Sequence, residues 1–297
     1  MKKKNGKKYS DINVVMAIIG VILGLFCLLL IGIMFFAIAS SFNDVMNFNR
    51  NPLNMFSTFK TENYSNVFLY MQIRKTIGGR QFYIKAPEMY LNSVLFSVGA
   101  AFSAVIVMCT TAYMCAKYRN WFSKLISGIV IVTMIVPIIG NTPSALDISI
   151  KLGLYNKIYG MCIMKASFLG MYFLIFIAAF NGIPDDFGEA AQIDGASQFY
   201  TYVLIYLPLV RNMFFTMIIL NFIGNWNDYQ GPMLFMPDKP TISFGLFYLT
   251  QYPDNRFNGN TPLFLAASIL VAFPTILLFC AFHDRLLGNL SMGGIKG

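Results

Sequence analysis

The chain has 297 residues, of which 57% are apolar and only 12% charged. Soluble domains carry about a quarter charged residues, so this composition, with 29 Phe and 16 Tyr, excludes an ordinary soluble enzyme and points to a polytopic membrane protein. The net charge of +9 does not call for nucleic acid, because five lysines fall in the first eight residues and flank an apolar run, where they anchor a span on its cytoplasmic side.

A bilayer crossing needs about 20 apolar residues, and six charge-poor segments reach that length, which predicts an all-α membrane protein of six transmembrane helices. After a basic cytoplasmic N-terminus (1–13), one six-span transmembrane domain (14–297) is expected. The first span covers about Val14–Ser40, too long for a signal-peptide core and therefore read as an anchor helix. The second is Leu91–Ala116, and the third is Leu125–Leu146 with Pro137 inside it. The fourth is about Ile163–Ile183, the fifth about Ile205–Trp226, and the sixth about Pro262–Phe282 with Pro274 inside it. Mid-span prolines predict kinks in helices three and six, serving either as hinges or as static bends. Lys and Arg divide equally, 11 to each side, but residues near the first helix dominate orientation, so both termini are placed in the cytoplasm.

The segments between spans one and two and between spans five and six are then external. Their turn signals (Asn51-Pro52, Gly78-Gly79, Tyr252-Pro253-Asp254, Asn258-Gly259) fit either packing against an outside partner or capping of the spans. The five cysteines (Cys27, Cys109, Cys115, Cys162, Cys280) lie in apolar stretches without a CxxC pair and read as small buried hydrophobes. Gly20 and Gly24 form a GxxxG in span one, a spacing that favours close helix contact.

The cytoplasmic loop between spans four and five, about 184–208, is the most informative segment: EAAQIDGASQFYTYVLIYLP from Glu189 to Pro208. Asp186 and Glu189 have capping-box spacing, and acidic residues suit the positive end of a helix. Gly195 falls where a left-handed cap would end the first helix, and a second is expected from near Ala196 to Leu207-Pro208, with the bend at Gly195. Small residues at Ala190, Ala191 and Ala196, with the acids Glu189 and Asp194, predict a low-relief face for a basic partner. A connector lying on the membrane surface would instead carry basic residues over bulky ones.

This loop, Glu189-Ala190-Ala191 then Asp194-Gly195-Ala196 then Leu207-Pro208, resembles the EAA loop of the inner-membrane permeases of binding-protein-dependent ABC importers. Ile183-Pro184, Trp226-Asn227-Asp228, Asn92-Ser93, Leu152-Gly153-Leu154 and the terminal run Gly293-Gly294-Ile295-Lys296-Gly297 resemble carbohydrate permeases of the MalG type, covering nearly the whole chain from Tyr64. Where that family often has a second proline, this chain has Asn212, which predicts a straighter start to span five.

The resemblance implies that Glu189, Ala190, Ala191, Asp194, Gly195 and Ala196 form a coupling helix seated on a dimeric cytoplasmic ATPase. It also implies a second permease subunit (a distinct MalF-like chain), an extracellular solute-binding protein and a sugar or oligosaccharide substrate. The location it implies is the bacterial cytoplasmic membrane. ATP and Mg would be bound by the ATPase, because this chain has no GxxxxGK[ST] loop, and no cofactor or metal is expected here. A sugar path needs hydrogen-bonding and aromatic groups. Asn141, Thr142, Asn221, Asn225, Trp226 and Asn227 are its candidates, with interhelical hydrogen bonding, or an interfacial position for Trp226, as the other reading. Lys165 and Asp147 border spans near the outer face, as entrance charges or as interfacial residues.

A secondary transporter would want ionisable groups within its spans, and an intramembrane enzyme would want a nucleophile with a base. The sole histidine, His283, lies at the end of span six, and no acid lies mid-span. An ABC permease for an amino acid or peptide is the nearer alternative. No catalytic residue is expected.

Overall fold

The structure, a computed structural model, describes residues 14–291 except 56, 78–79, 119, 137–139 and 254. The lysine-rich start, Pro137 and the terminal glycine run therefore lie outside the described residues.

In chain order the elements are α1 (Val14–Ser41), α2 (Val45–Arg50), α3 (Glu62–Tyr70), β1 (Gln72–Ile77), β2 (Arg80–Lys85), α4 (Ala86–Lys117) and α5 (Trp121–Ile135). There follow α6 (Thr142–Lys151), α7 (Ile158–Lys165), α8 (Met171–Asn181), α9 (Asp186–Ile193), α10 (Gln198–Thr201), a π turn (Tyr202–Tyr206) and α11 (Leu207–Leu209). The last described elements are α12 (Arg211–Asn227), α13 (Gln230–Phe235), α14 (Ile242–Gln251) and α15 (Thr261–Ser291). β1 and β2 pair antiparallel, from Gln72 opposite Lys85 to Ile77 opposite Arg80, and are the only sheet among the described residues.

Among the described residues, three helices are long and apolar enough to cross a membrane: α1, α4 and α15. The pair Gln198–Leu209 and Arg211–Asn227 makes a fourth if a segment bent by 79° counts as one span. The remaining apolar helices are shorter than the continuous spans expected from sequence. α5 stops at Ile135 instead of running on to Leu146, because Val136, held before a proline, takes an extended conformation (φ −89°, ψ 111°). Its 15 residues reach about 22 Å. The expected fourth span divides at residues 166–170, where Gly170 adopts φ 133°, into α7 and the 11-residue α8. α15 continues through Pro274.

The chain divides into two units, Met1–Val67 with Asp254–Leu270, and Phe68–Pro253 with Val271–Gly297. In the first, a buried asparagine network organises the segment after α1. Asn43 Oδ1 accepts from Ser57 Oγ at 3.0 Å and from the Thr58 amide at 3.3 Å, while Asn63 Nδ2 donates to the carbonyls of Ser41 (2.8 Å) and Asn43 (3.0 Å). Asp44 caps α2 by accepting from the Met46 amide and pairs with Lys60, and that hydrogen bond holds its carboxyl below the usual range. Cys27, like most of α1, is exposed, and a Cβ at Gly20 or Gly24 would meet open space. Cys280, in the second unit, is exposed as well, so of the five cysteines only Cys109 is fully buried.

The second unit is built on α4. Ala100, Ala104, Met108, Ala112 and Ala116 recur every four residues on its buried face, and the small size of the four alanines lets other helices approach closely. Phe173, Phe176 and Phe180 of α8, with Tyr202, Tyr206 and Met217, pack on that stripe. A Cβ at Gly99 would come within 2.7 Å of Cys162 Sγ, which fixes how closely α7 lies against α4.

Several short motifs resolve as ties within this unit. Gly153 takes φ +67° to end α6. Asn92 donates to the Pro240 carbonyl (3.1 Å), and Ser93 Oγ accepts from the Ile242 amide (2.7 Å).

Candidate functional site

The segment 184–208 forms a helical hairpin. The backbone bonds Gly195 N–H to Gln192 C=O (3.0 Å) and Ala196 N–H to Ala191 C=O (2.9 Å) close α9 in a Schellman motif, with Gly195 at φ +76° where only glycine fits at little cost. The N-cap differs from the sequence expectation. α9 begins one residue earlier, with Asp185 rather than Asp186 at the cap, and the Asp185 carboxylate turns away to Lys117 instead of capping amides. The second helix starts at Gln198 because Ser197 Oγ accepts from the Tyr200 amide.

Gly188 faces inward against Tyr206, whose Oη lies 2.7 Å from where a Cβ would stand, so α9 can sit this close only without a side chain there. Lys117, at the end of α4 with an 8% exposed side chain, donates to the Ile183 carbonyl (2.6 Å) and to Asp185 (2.7 Å) and lies 5.0 Å from the centre of the Tyr206 ring. The Tyr118 hydroxyl pairs with Gln198. Tyr113 packs against Phe180, Tyr202 and Tyr206 at centroid distances of 5.5, 4.7 and 5.2 Å. The hairpin is therefore fastened to α4 at its root, around a cavity of about 200 Å³ lined by Lys117, Glu189, Gln192 and Gln198 among others.

Of the six residues expected to form the contact face, Glu189, Ala190, Asp194 and Gly195 are exposed, and Ala196 is half-buried. Ala191 is turned inward at 6% exposure, because the helix buries the 188/191 edge. The outer face is less flat than its alanines imply, since Phe187 (47%), Ile193 (87%) and Phe199 (76%) also stand out. The signal for them was present: an isoleucine four residues from Glu189 shares its helix face.

Beyond the hairpin the chain bends by 79° at Val210 (ψ 8°), contrary to the straighter start expected from Asn212. One proline suffices. The π turn opens the ladder where the Pro208 ring would meet the Leu204 carbonyl.

A second feature lies among α4, the α7–α8 connector and α12: a cleft of about 270 Å³ lined by Ala104, Met108, Lys165, Ser167, Tyr172, Asn221 and Asn225 together with residues 169–171. Asn221 and Asn225 donate to carbonyls four residues back in their own helix, at 3.0 and 2.9 Å, rather than across helices. Their amide oxygens accept no hydrogen bond among the described residues. Lys165 pairs with Asp228 (2.9 Å), whose other oxygen accepts from the Gly231 amide (2.9 Å).

The other sequence candidates stand apart from the cleft lining. Asn141 and Thr142 are exposed at the start of α6, and Asn227 is exposed and bonded to the Ile223 carbonyl. Trp226 is 1% exposed. Its Nε1 donates to the Val271 carbonyl (2.9 Å), and its ring packs between Phe222 and Tyr90. Asp147 pairs with Lys151 one turn on. No cluster of three or more His, Cys, Asp or Glu suited to a metal occurs among the described residues.

Residues 108–287 match the family model described as binding-protein-dependent transport system inner membrane component. The chain is similar to the diacetylchitobiose uptake system permease protein NgcG of Streptomyces coelicolor, 24% identical over 269 residues covering 89% of this chain and 83% of that one. It is 26% identical to the arabinooligosaccharides transport system permease protein AraQ of Halalkalibacterium halodurans, covering 88% and 89%. The melibiose/raffinose/stachyose import permease protein MelC of Bacillus subtilis is 24% identical over 70% of this chain and 75% of that one. Among solved structures, a chain from a bacterial ABC transporter involved in the import of the acidic polysaccharide alginate superposes with TM-score 0.76 at 18% identity, covering 95% and 99%, a likeness of fold.

Proposed function

The chain belongs to the family of binding-protein-dependent transport system inner membrane components, and on that premise we propose that it is the permease through which an ATP-driven importer moves a sugar or oligosaccharide. The reading has six crossings: α1, α4, α5, α8, the bent segment Gln198–Asn227, and α15. Both termini lie in the cytoplasm, as the N-terminal lysines favour. The chain sits in the bacterial cytoplasmic membrane beside a second, MalF-like permease and receives substrate from an extracellular binding protein. ATP and Mg are held by a separate cytoplasmic ATPase dimer, and this chain contributes no catalytic group. The oligosaccharide permeases among its relatives favour a saccharide over an amino acid or peptide.

The observation that carries the reading is α9. It is a short helix closed at its C-terminus by the Gly195 cap, with Glu189, Ala190, Ile193 and Asp194 turned outward and its root fastened to α4 through Lys117. Such a helix seats in a groove of the ATPase and does not slide, so closure of the ATPase dimer drags α4 with it. Of the polar path candidates, Asn221 and Asn225 line the cleft and are assigned to the substrate route. The exposed Asn141, Thr142 and Asn227 are further candidates, and Trp226 serves as the packing anchor of that route.

Ile193→Asp and Glu189→Lys test the docking role. Each is expected to lower co-purification of the ATPase and to abolish sugar uptake in cells, while the chain still inserts at normal yield. Wild-type uptake and co-purification in both variants would overturn it.

A further inference from the structure

The cleft beside α4 holds groups that docking at α9 leaves unused. We propose that it is a subsite for one neutral pyranose ring of the translocated saccharide, a proposal that rests on the sugar-permease reading above.

Size comes first. At about 270 Å³ the cleft lies just under the ~300 Å³ lower end of small-molecule pockets, room for one ring rather than an oligosaccharide. Its polar groups suit hydroxyls. Each sugar hydroxyl both donates and accepts, and the cleft offers acceptors in the amide oxygens of Asn221 and Asn225 and a donor in Lys165 Nζ. The Tyr172 ring and Met108 supply apolar surface for the C–H face of a ring.

Charge then selects within the class. Among the described residues Lys165 is the only charged one lining the cleft, and Asp228 neutralises it at 2.9 Å. A uronate carboxylate entering here finds no uncompensated cation and meets Asp228 behind the lysine, whereas a hydroxyl can share the ammonium with Asp228 without breaking the pair. The pair is itself fixed, because Asp228 is held by the Gly231 amide, and a Cβ at Gly231 would come within 2.6 Å of Asp228 Oδ2. Neutral rings are favoured.

The test uses the complete transporter, the full chain with its ATPase, second permease and binding protein. Uptake is measured with labelled raffinose, maltotriose and chitotriose and with trimannuronate as the acidic probe. The wild type is expected to import at least one neutral trisaccharide in preference to trimannuronate. Asn221→Leu and Asn225→Leu are expected to raise its KM about tenfold with the yield of assembled complex unchanged, each removing one hydroxyl contact. Asp228→Asn, which leaves Lys165 uncompensated, is expected to shift the preference toward trimannuronate at least fivefold. Unchanged KM in both asparagine variants beside normal wild-type uptake, or a wild type that prefers trimannuronate, overturns the subsite alone. An assembled wild-type complex that imports no saccharide overturns the sugar reading and the subsite together.

Discussion

Replacing Lys117 by methionine tests how the hairpin is held to α4. Methionine keeps most of the aliphatic stem and removes three interactions. The hydrogen bond to the Ile183 carbonyl comes from a charged donor with an 8% exposed side chain, and bonds of that kind contribute about 1.5–3 kcal/mol. The contact with the Tyr206 ring, 5.0 Å away, adds about 0.5–1 kcal/mol. The ion pair with Asp185 adds little. That carboxylate is 56% exposed, and pairs open to water are worth about 0–1 kcal/mol. The loss is therefore about 2–4 kcal/mol, which at 1.4 kcal/mol per decade shifts the balance between fastened and loose hairpin by about 30-fold to several hundredfold. In proteoliposomes carrying the assembled transporter, Lys117→Met should keep ATP hydrolysis while sugar moved per ATP falls at least tenfold. Asp185→Asn should change that ratio less than about threefold. Equal losses in the two variants would refute the reasoning, because the exposed carboxylate, not the buried carbonyl and ring, would then be the main partner.

Gly195→Ala places a Cβ at φ +76°, which costs about 1–2 kcal/mol and should lower the thermal midpoint and uptake together, with Gly195→Asn less affected; an alanine variant as stable as wild type would show that the cap relaxes. Trp226→Phe leaves the buried Val271 carbonyl without its indole donor and should destabilise the detergent-solubilised chain by about 1–3 kcal/mol, read as a shift in its thermal midpoint. Asp44 predicts a pH effect. The hydrogen bond from Lys60 holds its carboxyl below the ordinary 3.8, so its stabilising contribution is complete above that value and lost as pH falls through the lower folded value. Thermal unfolding of Asp44→Asn should lack that part of the acid limb, and an unchanged limb would mean that other carboxylates carry it.

The elements that periodicity and capping rules describe well were legible in the sequence. α1 and α4 are long apolar runs with no competing break, α15 is one that continues through Pro274, and Gly195 announced its cap because few residues tolerate that conformation. What escaped was set by backbone punctuation inside apolar runs. Hydropathy sees residues 125–146 as continuous, whereas Val136 is already extended before a proline, and Gly170 interrupts what reads as one helix. The bend at Val210 escaped because the π turn that accommodates Pro208 has no one-residue signature. Side-chain direction escaped for a related reason. Ala191 and Ala190 are equivalent as letters, and only the approach of Tyr206 to Gly188 decides which of them faces inward. At the cleft, Asn221 and Asn225 were visible as unusual polar positions, but the Lys165–Asp228 pair joins residues 63 apart in sequence, and no local pattern brings them together.

On the proposed function, α4 is the element through which drive and cargo would meet. Lys117 at its end holds the α9 hairpin, and Ala104, 13 residues earlier, forms part of the cleft, a separation of about 20 Å along an unbroken helix. The segments packed against it are interrupted at residues 166–170 and at Val210. An unbroken helix whose small-residue face is closely packed moves as a body, while breaks are where neighbouring segments absorb the displacement. Force applied at α9 is therefore expected to reach the cleft as a tilt of α4, with Val210 and Gly170 as the compensating bends. Spin labels at exposed positions of α9 and at Met114 of α4 should keep a constant separation through the ATP cycle, while labels across Val210 change theirs. If the α9–α4 distance changes and the Val210 pair stays fixed, α4 is not the carrier, and the drive passes through α12 instead.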